Sequence, residues 1–199
     1  MTSGPVHVRI LRAADRAATP WKNGGGVTRE IAAYPEGAGT ADFAWRVSLA
    51  EVAADGPFSE FPGVDRTLTL AEGAGMDLTI AGERRLLDER YAPRDLPGDV
   101  PTACRLLDGP VVNFNVMYRR GEARARTAVV RGESTLATGT DETLLLVALD
   151  GPAVVSPHGA GVDGAFALGP YDAALFVGPA GGTVRTDGRV AVVVLTRRG

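Results

Sequence analysis

The chain has 199 residues, of which 45% are hydrophobic, with a formal net charge of -3 and a pI near 5.4. That suits one β-rich globular unit or two small fused ones, and with arginines scattered among acids and no basic stripe it argues against nucleic acid as a partner. The longest apolar runs, Leu144 to Leu149 and Val190 to Leu195, fall far short of the roughly 20 residues that cross a bilayer, a lone cysteine (Cys104) excludes an internal disulfide, and Met1 to Arg16 carries no signal-like apolar stretch, so the expectation is a cytoplasmic protein away from membranes.

In chain order the pattern is β: short apolar or alternating runs are broken by Gly, Pro and Asp. Val6 to Leu11 alternates and predicts an opening strand. Pro20 to Glu30 follows, Pro-Trp-Lys-Asn-Gly-Gly-Gly-Val-Thr-Arg-Glu, where an aromatic platform, a lysine, an amide and three glycines run into a strand. Glycines are costly to order, tolerate positive φ and let a ligand or backbone approach closely, and their exposed amides can cradle an anion. The plainer alternative is a tight turn at Gly24, Gly25 and Gly26 with Lys22 in solvent. Composition weighs against that alternative: the chain has 20 arginines to one lysine, no glutamine, and only Asn23, Asn113 and Asn115 as asparagines. Lys22 and those asparagines fall in two short stretches despite a bias against both residue types.

Val27 to Tyr34 reads as a strand with Thr28 and Glu30 on one face, and Phe43 to Val52 as another with Arg46, Ser48 and Ala50 opposite Trp45, Val47 and Leu49. Residues 55 to 65 hold two proline breaks and predict a loop presenting Phe58, Ser59 and Phe61. Strands are expected at Arg66 to Leu70, Met76 to Ile80, Arg105 to Leu107 and Val111 to Arg119, the last with Asn113, Asn115 and Met117 sharing a face. Between Gly82 and Thr102, prolines 93, 97 and 101 forbid long regular structure. After Gly121 the composition changes: residues 122 to 199 lack Trp, Lys, Asn, Met, Cys and Ile. Apolar runs at Leu144 to Leu149, Ala153 to Ser156, Ala173 to Val177 and Val190 to Thr196 suit a buried sheet. Leu68 to Leu78 resembles Leu146 to Ser156, strand, acid-Gly turn and strand, which two tandem β-barrels would explain. The division expected is 1–121, carrying the site, and 122–199.

His7 and His158 have no partner at ligand spacing, so a histidine-based metal site is not expected, and the common nucleophile and phosphate-loop motifs do not occur. Cys104 reads as a buried inert thiol. What remains is polar pairs at strand spacing, Thr28 with Glu30, Arg46 with Ser48, and Asn113 with Asn115, which either face solvent or line a small polar barrel interior with the glycine loop as its lip.

The Pro20 to Glu30 motif, Phe43-Ala-Trp-Arg-Val-Ser48, Asp55-Gly-Pro-Phe-Ser-Glu-Phe-Pro-Gly63, Asp65-Arg66 and Asn113-Phe-Asn-Val-Met117 resemble the signature of the HutD/Ves family, over about residues 6 to 120. The resemblance implies an all-β bicupin fold, two cupin-like barrels in one chain. It also implies association with histidine utilisation, with a pathway metabolite such as N-formylglutamate or urocanate as ligand. Where the family carries an aspartate before Phe-Asn-Val-Met, this chain has Asn113, which removes a charge. The missing histidines fit a cupin without the usual metal, and no cofactor is expected.

The expected function is therefore metal-independent, non-enzymatic binding of a small anionic metabolite. Lys22 and Arg46 would meet carboxylates, Asn23 and Asn115 an amide or formyl group, and Trp21, Phe58 and Phe61 the apolar part, with Gly24, Gly25, Gly26, Thr28, Glu30, Ser48, Arg66 and Asn113 completing the site. Two other classes stay open: a metal-free isomerase or hydrolase with Glu30 as general base, and a structural or interaction protein. A homodimer is compatible with all three.

Overall fold

A computed structural model describes residues 7–158, 164–179 and 181–198. Val6, the first residue of the expected opening strand, lies outside the described residues. In chain order the strands are β1 (His7–Leu11), β2 (Ala18–Pro20), β3 (Gly26–Tyr34), β4 (Trp45–Val52), β5 (Gly56–Pro57), β6 (Val64–Glu72), β7 (Met76–Ile80), β8 (Glu83–Leu87) and β9 (Arg94–Pro97). They continue as β10 (Thr102–Leu106), β11 (Val111–Arg119), β12 (Ala123–Ala137), β13 (Glu142–Asp150), β14 (Ala153–His158), β15 (Phe166–Leu168), β16 (Ala173–Val177) and β17 (Gly181–Arg197). Apart from one 3-10 turn at Ala13–Asp15, the regular structure of the described residues is all β. No helix among the described residues is long and apolar enough to cross a membrane.

Contacts divide the chain into two compact units, as a bicupin requires: Arg16–Ala123, and the described residues of Met1–Asp15 together with those of Arg124–Gly199. Sequence order assigns β1 to the first half, but by pairing it belongs to the second: it forms an antiparallel ladder with β16, with Val8 opposite Phe176 and Ile10 opposite Ala174. The alternation of Val8 and Ile10 is enough to predict a strand, but carries no information about which distant edge it meets.

The second unit is built on one seven-stranded sheet in the order β1-β16-β13-β17-β14-β15, with β12 also on β17. β17 is long enough to pair with β14 through Gly181 to Thr186 and with β13 through Arg189 to Thr196. Its core gathers Leu144, Leu146, Val155, Leu168, Phe176, Val184 and Val190. Here the sequence expectation for Val190 to Thr196 is too short, and β12 is absent from it. The residues of β12 alternate as Ala123, Arg124, Ala125, Arg126, and alanine is too weak an apolar signal to announce a buried face.

The Arg16–Ala123 unit has a six-stranded sheet, β2-β3-β4-β11-β6-β9, and a four-stranded sheet, β5-β10-β7-β8. Both are antiparallel throughout. Val52, Leu68, Leu70, Val111 and Leu96 of the first sheet pack with Met76, Leu78, Ile80, Leu87 and Cys104 of the second in one core. Short strands β8 and β9 do form in the proline-broken stretch, at lengths of five and four residues that the prolines permit. Cys104 is buried, and that burial, with Asp55 a lesser contribution, pushes its thiol up to about 11, as an inert core residue requires.

Arg120 locks one end of this unit. Its guanidinium donates to Asp65 at the start of β6 and, through both terminal nitrogens at 2.6 and 2.9 Å, to Asp99 just beyond β9. Those charge-assisted bonds hold the Asp99 carboxyl down at about 2. Because the folded value lies below the ordinary one of 3.8, the stabilisation is present above that value and is lost as pH falls through the folded value. Acid titration of unfolding between about pH 4 and pH 2 should show a loss of stability that Asp99→Asn lacks; identical acid limbs for the two proteins would refute this role.

Candidate functional site

Within the Arg16–Ala123 unit lies a cavity of about 540 Å³. Its wall is the even-numbered face of β4, Arg46, Ser48, Ala50 and Val52, continued by Thr28 on β3, by Asn113, Asn115 and Met117 on β11, and by Arg66 and Leu68 on β6. The strand period of two puts these side chains on one face, and the register sets them in rows. One row runs Glu30, Ser48, Asn115, Leu68; the row beside it places Met117 between Arg46 and Arg66. The polar strand faces thus line a cavity: Ser48 and Asn113 are each only 1% exposed. The apolar faces behind them, Val47, Leu49, Phe114 and Val116, are equally buried.

The rim is supplied by residues 19–23, Thr40, residues 57–59 and Phe61. In the Trp21 to Gly26 loop the peptide N-H of Trp21 donates to the Gly26 carbonyl at 2.9 Å and that of Gly24 to the Trp21 carbonyl at 3.0 Å. Indole Nε1 of Trp21 donates to Thr28 Oγ1 at 2.8 Å, which fixes the ring over the following strand. Phe58 meets that ring edge-on, with centroids 6.4 Å apart. The glycines are explained by this turn. Gly24 has φ of 71°, and a Cβ on Gly26 would lie 2.2 Å from the Glu51 carbonyl oxygen. None of Gly24, Gly25 and Gly26 lines the cavity, so of the two expectations for the triplet the turn describes the glycines, while Trp21, Lys22 and Asn23 beside them form the rim. Asn23 serves the turn as well, its Oδ1 accepting from the Gly25 N-H at 3.0 Å. Lys22 is exposed and makes no ion pair among the described residues.

Glu30 also stands outside the cavity wall. Its Oε2 accepts from Arg46 Nε at 2.7 Å, so the carboxylate orients an arginine rather than facing the cavity as a free base. The two terminal nitrogens of Arg46 make no hydrogen bond among the described residues. Glu30 stands opposite Ser48 on β4, two residues from Arg46 on the same face, and so reaches it diagonally across the β3–β4 ladder.

Arg66 is the most unusual group in the unit. It is 7% exposed, yet no carboxylate pairs with it among the described residues. One terminal nitrogen donates to the Ser59 carbonyl at 2.8 Å and to the Gly98 carbonyl at 3.3 Å, and Nε has no partner. The guanidinium lies 5.8 and 5.7 Å from the ring centroids of Phe58 and Phe61, a cation–π pairing with both. Desolvation pushes its pKa down to about 10, which still leaves it charged at neutral pH. That depression corresponds to about 3 kcal/mol set against the charged group on folding. Asn113 Oδ1 and Asn115 Oδ1 are buried without partners too; the Asn113 amide nitrogen contacts only Met76 Sδ, at 3.4 Å. Among the described residues no group of three or more His, Cys, Asp or Glu is placed to hold a metal ion, and His7 and His158 are both exposed.

Comparison with known proteins now decides the family. The HutD family matches residues 13–194. The chain belongs to the HutD family. A Pseudomonas putida relative, described as an uncharacterised 21.2 kDa protein in the hutC 3' region, is 38% identical over 168 residues, 83% of this chain and 84% of that protein. Protein Ves of Cronobacter sakazakii is 37% identical over 132 residues, 66% of this chain and 70% of its own. The solved structure of HutD from Pseudomonas fluorescens SBW25 superposes with a TM-score of 0.84 at 34% identity, covering 97% of this chain and all of that one.

Sequence reasoning for this HutD chain left out Thr19, Pro20, Thr40, Ala50, Val52, Pro57, Ser59, Leu68 and Met117 from the cavity wall. Ala50 and Met117 were legible as sharing faces with Ser48 and Asn115; the others come from loops or from strands whose inward face is apolar and so resembles core. The turn analysis separates the glycines. Gly26→Ala should lower stability by roughly 1–3 kcal/mol in urea unfolding, since its Cβ meets a backbone carbonyl. Gly25→Ala, whose Cβ would meet only the Asn23 side chain at 3.3 Å, should be much milder; equal losses would contradict the assignment.

Proposed function

We propose that this HutD-family chain binds a small carboxylate-bearing metabolite in the Arg16–Ala123 cavity, without a metal, and moderates flux in histidine utilisation. The observation that carries the proposal is Arg66, a buried guanidinium in the cavity wall with aromatic rings around it and no carboxylate paired with it among the described residues. An unpaired buried charge is unfavourable, and an anion is what relieves it. Arg46 supplies a second donor group held in place by Glu30, Lys22 a third cation at the rim, and Ser48, Asn113 and Asn115 the neutral polar surface between. The link to histidine utilisation rests on the family and on the relative from the hutC 3' region. N-formylglutamate and urocanate are accordingly the first ligands to try.

Charge-assisted hydrogen bonds contribute roughly 1.5–3 kcal/mol each, so two or three with aromatic burial reach the ~8 kcal/mol of a micromolar site. A thermal-shift panel of these acids and related small carboxylates tests the proposal. At about 100 times its dissociation constant a ligand adds ~2.7 kcal/mol, which should raise the melting temperature by roughly 5–10 °C in a chain of this size. Arg66→Gln should remove most of that shift; a flat response of the parent protein to every acid would overturn the binding function.

A further inference from the structure

We infer that Arg119, which lies outside the cavity lining, is a positioning residue that holds the mouth of the cavity shut by fastening two rim segments, residues 37–43 and 57–62, to one another. The inference concerns access to the cavity and is independent of which molecule enters. Arg119 follows Met117 on the same face of β11 and stands opposite Val64 of β6. All three of its guanidinium nitrogens are directed at carbonyl oxygens of the two segments: Nη2 donates to Ala41 at 2.7 Å, Nη1 to Pro62 at 3.2 Å and Nε to Phe43 at 3.4 Å. The half-exposed Glu122 carboxylate lies 3.3 Å from Nε. The guanidinium also sits 5.7 Å from the Phe43 ring centroid, and Phe43 in turn meets Phe61 at 6.3 Å. One side chain therefore bridges the segment that carries Thr40 and the segment that carries Phe58, Ser59 and Phe61, all four of which line the cavity.

The two segments are not equally fastened. Residues 57–62 have ties of their own: the Phe58 N-H donates to the Thr102 carbonyl and the Phe61 N-H to the Gly98 carbonyl, both at 2.8 Å, and Arg66 donates to the Ser59 carbonyl. Residues 37–43 have none. Their hydrogen bonds among the described residues are local, Ala38 to Pro35 and Asp42 to Gly39, except the two that Ala41 and Phe43 accept from Arg119. From Gly37 to Asp42 every residue but Ala38 is exposed, and the sequence Gly-Ala-Gly-Thr-Ala offers little side chain to pack. Only Ala38, beside Phe61, rests against Phe43, Val64 and Met117. A segment with so few buried contacts opens locally far more easily than the sheets beneath it. Its closed position accordingly depends on Arg119, whose bonds carry a full charge and are stronger than bonds between neutral groups. Behind the rim, Ser48 and Asn113 are 1% and Met117 2% exposed. The frequency with which residues 37–43 lift off Arg119 thus sets how fast anything reaches them.

A thiol placed in the wall reads that access directly. In Ser48→Cys, labelling with methyl methanethiosulfonate followed by mass spectrometry reports opening of the mouth. Cys104, buried in the core between the two sheets, reports wider unfolding in the same molecule. Adding Arg119→Ala should label position 48 about tenfold faster or more, as expected when the closed state loses a charge-assisted hydrogen bond, and should leave labelling of Cys104 unchanged. Arg119→Lys keeps the charge but not the span across both segments, so it should fall between the two, and it supplies the comparison with the parent if Arg119→Ala does not fold. Unchanged labelling at position 48, or a rise there matched by an equal rise at Cys104, would overturn the inference. Neither result bears on carboxylate binding, which the thermal-shift panel decides separately.

Discussion

The position of β11 between β4 and β6 is the constraint on which the cavity depends. Both faces of these central strands are buried, so their side-chain period of two has no solvent side on which to place an error. A slip of one residue would turn Phe114 and Val116 into the cavity and press Asn113 and Asn115 into the apolar layer. Irregularities between Val112 and Asn113 and between Glu30 and Ala32 interrupt the ladders at defined places and so mark the register. The same alignment that packs Phe114 also puts Met117 between two arginines. Fold and site are therefore one geometric fact.

Energetically the unit treats its arginines in two ways. Arg120 meets Asp65 and Asp99 and is satisfied by the folded chain itself. Arg66, which reaches the neighbouring Gly98 carbonyl, is more deeply buried and has only carbonyl oxygens and ring faces around it. Carbonyl dipoles and cation–π contacts recover part of the hydration an arginine loses, but they leave a net charge in a medium of low polarity. If the position served stability alone, a neutral side chain would fill it at lower free energy. On the binding function proposed above, an anion would supply the partner that the described chain does not.

Much of this was legible in the chain. Met76 to Ile80, Val111 to Arg119 and Ala173 to Val177 are strands at the residues where alternation or an apolar run indicates them, and the shared face of Asn113, Asn115 and Met117 follows from period two alone. The site was legible where polar residues break a pattern, as at Arg46, Ser48 and the asparagines. It was illegible where the wall is made of residues that look like core, Val52 and Leu68, or comes from the three-residue strand β2, as Thr19 does, or from a loop whose course no local rule fixes, as Thr40 does. Glycines misled for a related reason: a triplet beside a site signals a demanding backbone, and only the contact of Gly26 with the Glu51 carbonyl tells whether the demand comes from the chain or from a ligand.

The distribution of buried polar groups separates the roles of the two units. Ser48, Arg66, Thr67, Thr69, Thr102 and Asn113 are all buried in Arg16–Ala123, against Thr186 alone among the described residues of the other unit. Thr186 is fully occupied, donating to the Pro152 carbonyl and accepting from the Gly188 N-H. On the cavity wall Arg66, Asn113 and Asn115 each hold an atom without a partner, whereas the other unit has one such atom, Thr127 Oγ1, among its described residues. Buried polar atoms left unbonded lower stability, so natural chains keep them where function requires a pre-formed polar surface. A β unit with a mainly hydrocarbon core and one with a polar-walled cavity are two uses of the same architecture. The cavity of Arg16–Ala123 is walled by strands whose register is set by the fold itself.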